Sequence, residues 1–256
     1  MEHVLELKNI SHSYHNTEGE TPALKELSFF LKKGEFISIV GPSGCGKSTL
    51  LSLIAGLLIP ESGTILINGK QLKESTTNIG YMLQRDHLFE WRTIYNNVIL
   101  GLESTHMLAS PHAQKATSVA GTIWFWNLSA NARPSELSGG MRQRAALIRT
   151  LVLEPDLLLL DEPFSALDYQ TRLTVGDDIG QIIKKEQKTA ILVTHDLSEA
   201  ISLGDRVIVL SERPATVQQT IPLSFSLEED TPLHRRNAPE FKTYFNLIWK
   251  ELNRNE

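Results

Sequence analysis

The sequence predicts an α/β fold built on a mostly parallel sheet, and three observations carry that expectation. Leu157–Leu160, Ala190–Val193 and Val207–Leu210 are unbroken apolar runs, as suits central strands covered on both faces. Helical patterns alternate with them, Met141–Leu153 before the first and Tyr169–Glu186 and Leu197–Leu203 between. Finally, Gly41 to Thr49 (GPSGCGKST) matches G-x-x-x-x-G-K-[ST] between an expected strand and an expected helix.

In chain order, Leu5 and Leu7 alternate with Glu6 and Lys8, which predicts a half-buried strand, followed by a turn-like stretch at His15–Thr21. Glu35–Val40 is the strand before the glycine-rich loop, and Lys47–Leu58 the helix after it. Thr64–Ile67 runs into Asn68-Gly69, a hairpin signal, and Ile79–Leu83 is a further short strand. Phe241, Tyr244, Phe245, Ile248, Trp249 and Leu252 recur at three- and four-residue spacing. They predict one amphipathic C-terminal helix, whose stripe favours core packing over partner binding.

Composition narrows the class. The 256 residues carry 25 Lys+Arg against 30 Asp+Glu, so a nucleic-acid binder relying on a broad basic face is not expected. One cysteine excludes a disulfide scaffold and a cysteine-based zinc site. The longest apolar stretch, Leu50–Ile59, is far short of the ~18–20 residues that cross a bilayer, and the N-terminus lacks a secretory pattern. A cytoplasmic protein is expected.

The loop Gly41, Pro42, Ser43, Gly44, Cys45, Gly46, Lys47, Ser48, Thr49 has a definite chemistry. Its glycines let successive N–H groups turn inward on an anion, and the helix end adds positive potential. Lys47 would reach the β- and γ-phosphates, and the Ser48 hydroxyl would ligate Mg2+. Asp161 ends an apolar strand where α/β sheets hold ligands, and would help hold the metal. Glu162 follows, placed to polarise an attacking water as general base. Ser138, Gly139 and Gly140 open a second helix with anion-binding character. Two such ends in one chain suggest a site shared between two subunits. Cys45, at a helix N-terminus near Lys47, is expected to be a thiol of lowered pKa, alkylated readily and protected by MgATP; the alternative is a small side chain that simply fits.

Together these motifs resemble the ATP-binding cassette (ABC) ATPases over Val4 to Leu223. Leu137–Gly140 is similar to the family's LSGG signature, and Ser165–Asp168 to its D-loop. The resemblance implies an ATPase with a P-loop core, an N-terminal antiparallel β part and a helical subdomain at about 86–155, within a domain spanning 1–222 and followed by a tail at 223–256. It implies that Tyr14 stacks on adenine, that Gln84 senses Mg2+ and the γ-phosphate, that Asp168 lies at the shared site, and that His195 contacts the γ-phosphate. It also implies that two copies meet head to tail, each ATP lying between one P-loop and the partner's Ser138–Gly140.

The stretch Leu88–Thr93, with Asn97-Val98 and Gly101–Glu103, resembles the nitrate/sulfonate/taurine-type importer ATPases, a group that includes thiamine-precursor importers. Trp91 carries much of that likeness; alternatively it is a packed anchor. Arg213-Pro214 also fits, and the 33 residues after Leu223 are too few for a further domain. The resemblance therefore implies a peripheral subunit on the cytoplasmic face of the membrane, working with a separate permease and an extracytoplasmic substrate-binding protein. A lipoprotein-release or cell-division ABC ATPase would share every catalytic motif and is the alternative.

Ser104–Ala132 departs from the family. Only Lys115 is formally charged there, and Trp124-Phe125-Trp126 is a dense aromatic cluster. Compensating frameshifts in the gene, or a divergent apolar surface facing the permease, are the two readings.

Overall fold

The computed structural model describes residues 3–17, 19–105 and 130–254. Most of Ser104–Ala132, including Trp124–Trp126, lies outside the described residues.

Two sheets organise the chain. The smaller is antiparallel, in the order β2 (Gly19–Lys32), β1 (His3–Asn16), β4 (Ser62–Ile67), β5 (Lys70–Gln71). The larger runs β10 (Val217–Pro222), β9 (Arg206–Leu210), β3 (Phe36–Val40), β8 (Thr189–Val193), β7 (Leu157–Asp161), β6 (Ile79–Met82). Its five strands from β9 to β6 are parallel, and β10 adds one antiparallel edge. Every residue of β3, β7 and β8 is buried, as continuous apolar runs require.

The first hairpin is larger than expected. Strands β1 and β2 enclose the supposed turn at His15–Thr21, pairing His15 with Glu20 and Asn16 with Gly19. Left-handed residues explain why the pattern is hard to see. Asn9 (φ 51°) and Glu26 (φ 46°) sit at register shifts that break the two-residue period, so Leu7 is followed by Ile10 and Leu24 by Leu27 on the buried face. The β4–β5 turn is as expected, with both Asn68 and Gly69 at positive φ.

Helix α1 (Lys47–Ile54) stops short of Leu58 because Gly56 adopts φ 74°. Gly56 N donates to Leu53 O and Leu57 N to Ser52 O, a Schellman closure. The short α2 (Ile94–Val98) and α3 (Leu100–Ser104) pack with α4 (Gly139–Leu151) through Val98, Leu102, Ala145 and Ile148. Buried Asn97 holds the turn before α2 by bonding both the N–H and the carbonyl of Phe89. Arg142 pairs with Asp86 at 2.9 Å, and Arg149 donates to the carbonyls of Asp86 and His87. These bonds fix the chain after β6 onto α4.

Helix α5 (Tyr169–Lys185) covers β7 and β8, and α6 (Leu197–Leu203) covers β3 and β9. The tail forms the expected helix, α8 (Pro239–Leu252), which carries the whole stripe, and a short α7 (Pro232–Asn237) precedes it. Along α8, Ile248 is buried and Phe241, Tyr244, Phe245 and Leu252 pack on the α6/β9 layer, while Trp249 remains 57% exposed. The stripe is thus mainly core.

Candidate active site

The glycine-rich loop leaves β3, Gln84 lies just past β6, Asp161 ends β7 and His195 follows β8. These four strands are neighbours, and the residues emerge at their C-terminal ends, where an α/β sheet opens its ligand crevice.

Within the loop, Gly44 (φ 73°) and Gly46 (φ 121°) take conformations that L side chains rarely adopt. A Cβ on Gly46 would also lie 2.9 Å from Leu24 Cδ2 and 3.1 Å from the Ala23 carbonyl oxygen. Lys47 is buried, and its ammonium donates to the carbonyls of Gly41 (2.8 Å) and Pro42 (2.9 Å). Ser48 Oγ donates to Asp161 Oδ1 at 3.1 Å. Tyr14 shares a 2.9 Å hydrogen bond with the Thr49 hydroxyl, and its ring is 43% exposed.

Two carboxylates sit side by side. Burial raises the Asp161 carboxyl above its ordinary range, the bond from Ser48 opposes this, and neighbouring Glu162 adds to it. Tyr81, placed by β6, bonds Asp161 Oδ2 at 3.4 Å, and its own hydroxyl is pushed up to about 12, first by burial and then by Asp161. Glu162 is held at φ 44°, with its N–H on the Val193 carbonyl at 2.8 Å. A left-handed glutamate is a local strain kept by its surroundings, of the kind that gathers at functional sites. Its Oε2 is 3.1 Å from His195 Nδ1 and accepts from Gln84 Nε2 at 3.4 Å. Gln84 also donates to Ser165 Oγ at 3.3 Å, and Ser165 Oγ donates to the Glu162 carbonyl. Gln84, Glu162 and His195 therefore converge, beside Asp161, Ser48 and Lys47. Gln84 touches Glu162 rather than the Ser48–Asp161 pair.

Ser138 caps α4, accepting from Met141 N at 3.4 Å, so Gly139 and Gly140 lie inside the first turn. A Cβ on Gly140 would meet Thr171 Cγ2 at 2.6 Å, so the signature glycine allows α4 and α5 to approach. Ser138 and Gly139 are exposed. Asp168 caps α5 through Thr171 N; the Thr171 hydroxyl first, and then that backbone bond, keep its carboxyl below the ordinary range.

One expectation is corrected and one alternative falls. Cys45 is 2% exposed, packed in the core cluster under the loop, and burial pushes its thiol up despite Lys47 nearby. The activated thiol is therefore overturned: the side chain faces the core. Trp91 is 73% exposed and touches Phe89, so it is not a packed anchor.

Residues the sequence reading did not single out complete the site. Tyr81 is one. Others are Thr194, Glu199 and Arg172: Thr194 Oγ1 donates to Glu199 Oε2 at 2.6 Å, and Arg172 pairs with Asp196 at 3.2 Å. Only the polarity of Thr194, directly after the apolar run Ala190–Val193, hinted at this network.

Among the described residues no helix is long and apolar enough to cross a membrane. The ABC transporter family model matches residues 24–165. An uncharacterized ABC transporter ATP-binding protein of Bacillus subtilis, YtlC, is 46% identical over 250 residues, covering 97% of this chain and 95% of that protein. The nitrate import ATP-binding protein NrtD of Synechocystis sp. is 38% identical over 244 residues, covering 94% and 91%. The solved dimer of the bacterial ABC transporter cassette MJ0796 superposes with a TM-score of 0.74 at 31% identity, over 86% of this chain and 99% of that one. The same cassette has been solved in a post-hydrolysis state bound to ADP and Pi. The chain belongs to the ABC transporter family, as a cassette that binds and hydrolyses ATP.

Proposed function

We propose that this chain energises a bacterial-type importer for a small solute of the nitrate, sulfonate, taurine or thiamine-precursor kind. Two copies would close head to tail on ATP, with Ser138–Gly140 of one facing Lys47 of the other, and drive a separate transmembrane permease fed by an extracytoplasmic binding protein. The observation that carries the catalytic part is the convergence of Glu162, His195 and Gln84 beside the Ser48–Asp161 pair. The importer part is supported by the likeness to the nitrate import protein.

The chemistry is phosphoryl transfer to water, where positioning and charge stabilisation dominate. Glu162 takes the proton of the attacking water. His195, held through Nδ1 on Glu162, has Nε2 left for a γ-phosphoryl oxygen; donating from both nitrogens requires the imidazolium form. Lys47 and the loop N–H groups hold the β- and γ-phosphates, and Tyr14 packs on the adenine. Ser48 and Asp161 present hard oxygen donors 3.1 Å apart, a set that suits Mg2+; the Gln84 amide, bonded here to Glu162 and Ser165, would have to turn its oxygen toward that pair to join it. The ion, when bound, neutralises charge developing on the phosphoryl oxygens.

Affinity purification of the tagged full chain from solubilised host membranes tests the importer reading. Recovery of a polytopic permease encoded with a solute-binding protein is expected. Recovery of a large extracytoplasmic lipoprotein-release or cell-division complex contradicts it.

A further inference from the structure

A closed ring of contacts surrounds Glu162. On one side Glu162 Oε2 meets His195 Nδ1 at 3.1 Å. On the other, Ser165 Oγ donates to the Glu162 carbonyl at 3.0 Å, and Leu167 N donates to Phe164 O. Arg172 joins the two arms: Nη2 donates to the Leu167 carbonyl at 3.1 Å, and Nη1 to Asp196 Oδ2 at 3.2 Å. Leu167 adjoins Asp168, and Asp196 adjoins His195.

Three features single out this arginine. It lies in the first turn of α5, where the helix dipole disfavours a cation, so local rules do not explain it. Its partner is fixed independently: Asp196 uses Oδ1 to cap α6 through the N–H groups of Ser198 and Glu199, leaving Oδ2 for the arginine. Finally, Arg172 Nε is buried without a hydrogen-bond partner, 3.8 Å from Glu199 Oε1, and Glu199 in turn holds Thr194 next to His195. The guanidinium fork thus spans two chain segments, the one ending in Leu167 and the one running from Asp196 to Glu199, a geometry lysine cannot reproduce.

We propose that Arg172 is a positioning residue for hydrolysis: by tying the Leu167 carbonyl to Asp196 it sets the approach of His195 to Glu162, and couples that approach to the segment bearing Asp168. Its guanidinium contacts Leu167, Asp196 and Glu199, and none of the residues assigned above to the nucleotide. The inference rests on the roles given to Glu162 and His195 above.

The test uses the purified full chain with steady-state phosphate release, ATP-binding stoichiometry and affinity, and thermal melting. The variants are R172M, D196N, their double mutant and E162Q. D196N keeps the cap oxygen of α6 and replaces the oxygen that accepts from Arg172. R172M and D196N are each expected to lower kcat about 10- to 100-fold with KM and ATP stoichiometry within about twofold of wild type, and the double mutant to be no slower than the slower single. A loss of active protein alone would lower the stoichiometry in step with the rate. Should R172M fail to fold, D196N carries the same expectation. An unchanged kcat, a raised KM at unchanged kcat, or losses that multiply in the double mutant would overturn the inference. If E162Q is inert while R172M and D196N behave as wild type, only the role of Arg172 falls. If E162Q hydrolyses normally, the assignment of Glu162 falls and this inference with it.

Discussion

Glu199 offers a pH experiment with a definite sign. The side chain is 7% exposed, and burial is the main reason its carboxyl is raised from 4.5 to about 7. Asp196 adds to the rise, whereas the Thr194 hydroxyl, Arg172 and His195 hold it back. A carboxyl raised on folding binds its proton more tightly in the native state. Its contribution is therefore fully present below pH 4.5 and is lost as pH climbs through about 7. The gap of about 2.5 pH units, at ~1.4 kcal/mol each, corresponds to about 3 kcal/mol. Glu199→Gln removes the titration yet keeps an oxygen for Thr194. Urea unfolding of both proteins, followed by tryptophan fluorescence from pH 4.5 to 8, isolates the effect, because other titrating groups cancel in the difference. The two should have similar stability near pH 4.5, and the variant should be more stable by about 3 kcal/mol at pH 8. A difference that stays constant across the range refutes the argument.

Other outcomes follow from the same geometry. Cys45 should react with iodoacetamide at pH 8 more slowly than a cysteine in a short peptide, and at the peptide's rate once urea unfolds the chain; fast labelling of the native protein would contradict its burial. Gly46→Ala should lower stability by about 1–3 kcal/mol through its positive φ, and by more if Leu24 cannot move, measured as a shift in urea midpoint; an unchanged midpoint would show that the loop relaxes. Leu159→Ala, in the centre of β7, should cost about 2–5 kcal/mol by the same assay, and a loss under 1 kcal/mol would mean that the sheet collapses around the gap.

Much of the catalytic geometry is legible before folding, because it is carried by short segments at strand ends. Leu157–Leu160 announces a buried parallel strand, and a parallel strand delivers its next residues, Asp161 and Glu162, to the same edge as the Lys47 loop. What escapes is whatever depends on the third dimension. The alternation of β1 and β2 is broken by left-handed Asn9 and Glu26, and β10, half-buried Val217-Gln-Gln-Thr-Ile-Pro222 at a sheet edge, has no marked pattern. Cys45 sits at a helix end beside a lysine, which by spacing suggests an activated thiol; only the packing against the core reverses the sign. Arg172 and Asp196 stand 24 positions apart, with nothing local to pair them.

The most direct measurement is phosphate release by the purified chain beside its Glu162→Gln variant, with ATP binding followed on the same samples. With Glu162 as the general base, turnover should fall at least ~10²-fold while ATP still binds with MgATP-dependent affinity. Near-normal hydrolysis by the variant would contradict that role, however closely Glu162 sits to His195.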